Sequence, residues 1–282
     1  MAYAIRAGWL WDGVSAEPIR DGLAIVDDGA IQAVGPADQL SIPSDLEVID
    51  RGNEFLMPGL IDAHTHISII PGLGNQMGQL REAPERQAIR AVGNLRAMLE
   101  SGVTTARVMG EEHLLDVTFK EVIGTGQLPG PNLIISTRTI TQSNGHGRGL
   151  SAADGVDEVR KASRQNLYDG AEFLKLFITG GVSSSRGGGI HAASYSREEI
   201  RVAVEEAERN GTYVAAHAIG GPGIRLGVEE GVRTIEHATL ATDDDLELIE
   251  SRGAWVVLTQ AIMMHPTGIE QGDREKRSSW AS

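Results

Sequence analysis

The stretch FLMPGLIDAHTHI, residues 55–67, is where the character of the chain changes. Before it the sequence reads as short strands and tight turns. YAIRAGWLWDG (3–13), GLAIVDDGAIQAVG (22–35) and LEVIDRGNEF (46–55) alternate or run apolar between Asp-Gly and Gly-Pro breaks, with Asp28-Gly29 as a hairpin candidate. A small β unit is therefore expected over residues 1–55. Within the stretch, Pro58-Gly59 opens an apolar run that carries two histidines separated by one residue. In an extended chain alternate side chains share a face, so His64 and His66 project together. A packed or solvated pair is the plain alternative, and the remainder of the chain decides between them.

From residue 56 onward, strand-like runs alternate with helical ones. The strand-like runs are the quoted stretch, GVTTARVMG (102–110), NLIISTRTI (132–140), EFLKLFITGG (172–181), TYVAAHAIGG (212–221), VRTIEHATL (232–240) and AWVVLTQ (254–260). Between them lie stretches with helical spacing: 85–102, 114–126, 155–170, 196–211, 221–231 and 242–253. Several of these end at Gly. SREE (196–199) and TDDD (242–245) open with a capping residue and an acidic first turn. This alternation implies a parallel sheet, and the number of units favours a (β/α)8 TIM-type barrel over a doubly wound sheet. Seven strands are legible, whereas a closed barrel of this type has eight. The chain is therefore expected to be incomplete at its C-terminal end, with strands one to seven in residues 56–282.

Composition narrows the function. With 282 residues, 41% hydrophobic and 23% charged, the chain has the makeup of an ordinary globular protein with a substantial core. A formal net charge of -14 argues against nucleic acid or an anionic membrane surface as partner. No apolar run approaches the ~20 residues of a membrane span, and the N-terminus lacks a signal-peptide core, so a soluble protein is expected. There is no cysteine. Disulfides and thiolate metal sites are thereby excluded, any metal must be held by nitrogen and oxygen, and a cytoplasmic location is the natural expectation.

In a parallel barrel the functional groups collect at the C-terminal strand ends. Those ends carry His64 and His66, then Lys175, His217 and His237. Singly, each has an ordinary explanation: a lysine snorkelling from a strand end, a histidine hydrogen-bonded in the core, His237 with Glu236 as its solvent-side neighbour. Together at one mouth they are harder to attribute to packing, because each unpartnered buried polar group costs a few kcal/mol.

PGLIDAHTHI (58–67), FLKLFITGGV (173–182), VAAHA (214–218) and TIEHA (234–238) together resemble the amidohydrolase superfamily, specifically its imidazolonepropionase-like and prolidase-like members. The opening strands resemble the first half of that family's small β-sandwich. The resemblance implies a binuclear metal centre: His64 and His66 on the more buried ion, His217 and His237 on the more exposed one, and Lys175 bridging both as a carbamate made with carbon dioxide. Zinc suits such ligands best, with manganese or cobalt as alternatives. Two such ions activate a bridging water for amide hydrolysis.

The family's general-base aspartate, at the end of the eighth strand, has no counterpart here. Asp243, Asp244 and Asp245 open a helix, where capping explains them, and Asp62 sits below the mouth. His146, in TQSNGHGRG (141–149), stands where prolidase-like relatives carry a substrate-contacting Gly-His-Gly; a flexible glycine loop is the plain reading. Ile219 stands where dipeptide-cleaving relatives often carry an aromatic or polar residue. Arg186 could meet an anionic substrate. The expected partner is a small amide, either peptide-like or N-acyl amino acid, or alternatively a lactam. An unfinished barrel exposes strand edges, which favours association into a homo-oligomer or a non-catalytic role.

Overall fold

The computed structural model describes residues 2–70, 76–148, 152–181 and 189–260, and the chain divides into two compact units, Met1–Leu60 and Ile61–Ser282. The first unit is a single five-stranded sheet. Its strands are β1 (Tyr3–Leu10), β2 (Ile19–Asp27), β3 (Ala30–Pro36), β4 (Glu47–Asp50) and β5 (Phe55–Leu56), in the order β3-β2-β1-β4 with β5 also pairing β1. The β2–β3 hairpin turns on Asp28 (φ +48°) and Gly29 (φ +73°), two consecutive left-handed residues as a tight turn of this kind needs. The division falls at 60/61 and not at 55/56, because Phe55 and Leu56 pair in register with Trp9 and Leu10.

The second unit repeats strand and helix. In chain order it contains β6 (Leu60–Thr65), α1 (Gln76–Gln79), α2 (Pro84–Glu100), β7 (Val103–Val108), α3 (Leu115–Gly124), β8 (Asn132–Ile135), α4 (Gly155–Tyr168), β9 (Leu174–Phe177), α5 (Arg197–Arg209), β10 (Val214–Gly220), α6 (Pro222–Glu229), β11 (Thr234–Leu240), α7 (Asp243–Ser251) and β12 (Trp255–Val257). Helix starts follow the local chemistry. Ser196 with Glu199, and Thr242 with Asp245, form reciprocal capping boxes, so the acidic run 243–245 does open a helix.

The strands of this unit pair in sequence order, β6-β7-β8 and β9-β10-β11-β12, and β7–β8, β9–β10, β10–β11 and β11–β12 run parallel. The two sheets are joined beyond the end of β8. Glu172 N donates to Ile135 O at 2.8 Å, Ile140 N to Lys175 O at 2.8 Å, and Phe177 N to Ile140 O at 3.0 Å. Seven strands thus form one arc among the described residues. The helices cover its outside, burying Ala91, Leu95 and Phe119 against β7 and β8, and Ile200, Ala203, Ile224 and Val228 against β9 to β11. The expected lack of an eighth strand concerns residues 261–282, which lie outside the described residues, as does Arg186. Among the described residues no helix is long and apolar enough to cross a membrane.

Candidate metal centre

The strand-borne groups converge. Neighbouring imidazole rings form a continuous chain: His66 to His64 (5.8 Å between centroids), His64 to His237 (4.8 Å), His237 to His217 (4.6 Å), and His217 to His146 (4.6 Å). His146 enters from the loop after β8 and is buried, its carbonyl accepting from Thr141 Oγ1 at 2.7 Å, so that segment is built and not a loose glycine loop. Gly181 makes room for it, since a Cβ there would lie 2.3 Å from the His146 ring.

Four of the rings, those of His64, His66, His217 and His237, each present one nitrogen to a protein group. His66 Nδ1 lies 2.9 Å from Gly110 O, and His217 Nε2 lies 3.1 Å from Gly180 O. A carbonyl only accepts, so in both rings the contacting nitrogen carries the proton and the other keeps its lone pair. His64 Nδ1 meets Glu236 Oε2 at 2.7 Å, and His237 Nδ1 meets Thr259 Oγ1 at 2.7 Å. The nitrogens left over are Nε2 of His64, His66 and His237 and Nδ1 of His217. Burial, reinforced mainly by Lys175 and the neighbouring rings, keeps these imidazoles neutral: His66 and His146 are pushed down to about 4, and His64, His217 and His237 well below the ordinary value. Neutral imidazoles with a free lone pair are what a metal ion requires.

Lys175 does not snorkel. It is 1% exposed, and among the described residues its amine has no hydrogen bond or ion pair; the Phe177 ring lies 5.1 Å away. Burial lowers its pKa to about 8, with Glu236 opposing and Arg107 assisting.

Glu236 corrects an expectation. It is fully buried and faces the inside of the arc, not solvent. Strict alternation would put it opposite His237, but the backbone leaves strand geometry there: His237 and Ala238 have φ of +75° and +48°, and the β10–β11 register shifts between Ala218 and Gly220. Both side chains therefore point inward. Arg107, also buried, donates to Glu236 Oε1 (2.8 Å), Ala63 O (2.7 Å) and Thr234 Oγ1 (3.2 Å). A charged residue inside the apolar run GVTTARVMG was the available sequence signal for it. Asp62 Oδ1 accepts from His64 N at 3.0 Å, an engagement within its own strand. Ile219 is buried, and its backbone N–H is taken by Thr179 Oγ1.

A second acidic cluster supports the near side of the mouth. Glu111 accepts from the N–H and hydroxyl of Ser68, and its own N–H donates to Thr137 O at 2.8 Å. Asp116 Oδ2 accepts from Thr137 N at 2.8 Å. These contacts stitch together the chain just past β6, β7 and β8. Burial pushes Glu111 up to about 8 and Asp116 up to about 6.

The model of the amidohydrolase family matches residues 55–278. The chain belongs to this family. Among amidohydrolase relatives, the ochratoxinase of Aspergillus niger is 29% identical over 92% of the chain and 59% of its own length. An imidazolonepropionase of Bacillus thuringiensis is 24% identical over 82% of the chain and 59% of its own length. The chain thus spans about three-fifths of the curated relatives it matches. A prolidase structure complexed with N-methylphosphonate-L-proline superposes with a TM-score of 0.87 at 29% identity, covering 100% of this chain and 72% of that one. A Xaa-Pro dipeptidase with bound methionine gives a TM-score of 0.82 at 27% identity, covering 99% and 73%. The seven-stranded arc is accordingly the α/β fold of the amidohydrolase family, to which TIM-type barrels belong.

Proposed function

We propose that this protein hydrolyses the amide bond of a small peptide-like or N-acyl amino acid substrate at a pair of divalent cations. The observation that carries the reading is Lys175, a buried amine without a hydrogen-bond partner among the described residues, set among four imidazoles whose free nitrogens are defined by their other contacts. Its lowered pKa raises the fraction of free base at neutral pH. That free base attacks the carbon of carbon dioxide; the N–C bond forms, a proton leaves to solvent, and an anionic carbamate with two oxygens results.

His64 and His66 would hold one ion, His217 and His237 the other, and the Lys175 carbamate both. This division gives two imidazoles per ion. Zinc suits the imidazole and carboxylate-like donors. When bound, the two cations would lower the pKa of a coordinated water and polarise the substrate carbonyl. The chain's own groups do the rest: Gly110, Gly180, Glu236 and Thr259 hold the rings in place, and His146, whose ring is 4.6 Å from that of His217, is placed to meet the substrate.

The names of the relatives support an amide with an amino acid on one side: two of the structures are a prolidase and a Xaa-Pro dipeptidase. The imidazolonepropionase matches favour a cyclic amide as the second reading. A panel of Xaa-Pro dipeptides, N-acyl amino acids and lactams separates the two. Turnover of acyclic amides is expected; turnover of lactams alone would sink the first reading. A small-molecule amide as partner and a cytoplasmic setting belong to the same proposal, the latter in keeping with a cysteine-free chain.

A further inference from the structure

We infer that Glu236 and Arg107 are positioning residues that decide which nitrogen of His64 is offered to the mouth. The inference deepens the proposed metal centre and rests on it for its consequence, though not for its geometry.

Glu236 is fully buried and both of its oxygens are assigned. Oε1 accepts from Arg107 Nη2 at 2.8 Å and from Thr234 Oγ1 at 2.6 Å; Oε2 lies 2.7 Å from His64 Nδ1. Arginine has donors only, so toward it the carboxylate must accept. With Oε1 occupied by two donors, Oε2 is left for the ring. An accepting Oε2 requires the proton on Nδ1, which leaves the lone pair on Nε2.

Arg107 makes this arrangement rigid. It sits on β7, and its Nε donates to Ala63 O, the carbonyl just before His64, at 2.7 Å. One guanidinium therefore grips the His64 backbone on β6 and, through Glu236 on β11, the His64 side chain. An ion pair serving the barrel interior alone would need neither the Ala63 contact nor the second oxygen turned to the imidazole. Carboxylates behind ligand imidazoles fix tautomer and ring orientation, and removing them commonly weakens metal binding 10- to 100-fold.

The test is ¹⁵N NMR of histidine-labelled, metal-free protein, with the His64 signals assigned by their loss in His64→Asn. The expected result is the Nδ1–H tautomer; the Nε2–H tautomer in the wild-type chain would overturn the inference. In Glu236→Gln the amide can donate to Nδ1. The Nδ1–H preference should be lost and zinc affinity should fall roughly 10- to 100-fold; an unchanged tautomer with unchanged affinity would overturn the inference. The wild-type spectrum stands whether or not that variant folds. It also separates the two readings. Nδ1–H without zinc binding removes the metal centre and keeps the positioning role, whereas zinc binding with Nε2–H does the reverse.

Discussion

The two histidine pairs at the mouth are built differently. His64 lies on β6 and His66 follows just past its end, and their protein-facing nitrogens are held from elsewhere in the chain: by Glu236 on β11 and by the Gly110 carbonyl after β7. His217 and His237 come from two strands, β10 and β11, and the second reaches the mouth only because its backbone adopts φ +75°. Its partner Thr259 is itself left-handed at φ +50°. The first pair is thus set by local alternation and secured at long range. The second depends on parallel register and on a strained backbone, of the kind that persists where the surrounding structure enforces it.

Removing what the pairs share should have the largest effect. In Lys175→Ala the bridge between the pairs is gone, and bound transition metal should fall from about two ions per chain to about one or fewer, with the His217–His237 ion lost first. Equal retention of both ions, read by elemental analysis, would dissolve the comparison. Next, Gly110→Ala should strike the His64–His66 side alone. A Cβ there would lie 2.4 Å from Thr139 Cγ2 at a φ of +111°, so a loss of about 1–3 kcal/mol is expected in denaturant titration. An unchanged midpoint would mean that the carbonyl facing His66 is not so constrained.

Thr259→Val keeps the shape and removes the hydroxyl from His237 Nδ1. About tenfold weaker binding of the His217–His237 ion is expected by metal titration, with the other ion unaffected; weakening of both would show that the pairs are not separately supported.

The mildest effects are on pH. The ring pKa values are depressed in the folded state, so their contribution to stability is complete above the ordinary value of 6.5 and is lost as pH falls toward about 4. Melting of the metal-free protein should therefore decline over that window, and metal retention should extend below 6.5. Glu111 runs the other way. Its folded value is raised from 4.5 to about 8, so its contribution is complete below 4.5 and lost as pH rises through about 8. Glu111→Gln should gain in melting temperature relative to wild type across that span; a constant difference would contradict the buried, protonated carboxyl.

Most of the architecture was legible because each strand run is bounded by turn residues and each helix carries a cap or an apolar stripe. Seven strand runs and six longer helices fall where the pattern places them. His64, His66, Lys175, His217 and His237 are legible as chemistry out of place in apolar strands, and the arc brings the four imidazole rings together. What escaped is tertiary. Alternation in a regular strand turns Glu236 outward, and no residue in TIEHA announces the left-handed step at His237. Thr259 and the Gly110 and Gly180 carbonyls have no side-chain signal of their own type. The unit boundary shifted because Phe55–Leu56, apolar like the strand that follows, hydrogen-bonds back to β1.

The most direct test of the central claim is elemental analysis of transition metal in the purified 282-residue protein, prepared with bicarbonate and passed through gel filtration. About two ions per chain, falling on removal of bicarbonate, is the predicted result, since the Lys175 carbamate joins both sites. Metal content near zero in the same preparation would contradict the assignment of the four imidazoles and Lys175 as a binuclear centre.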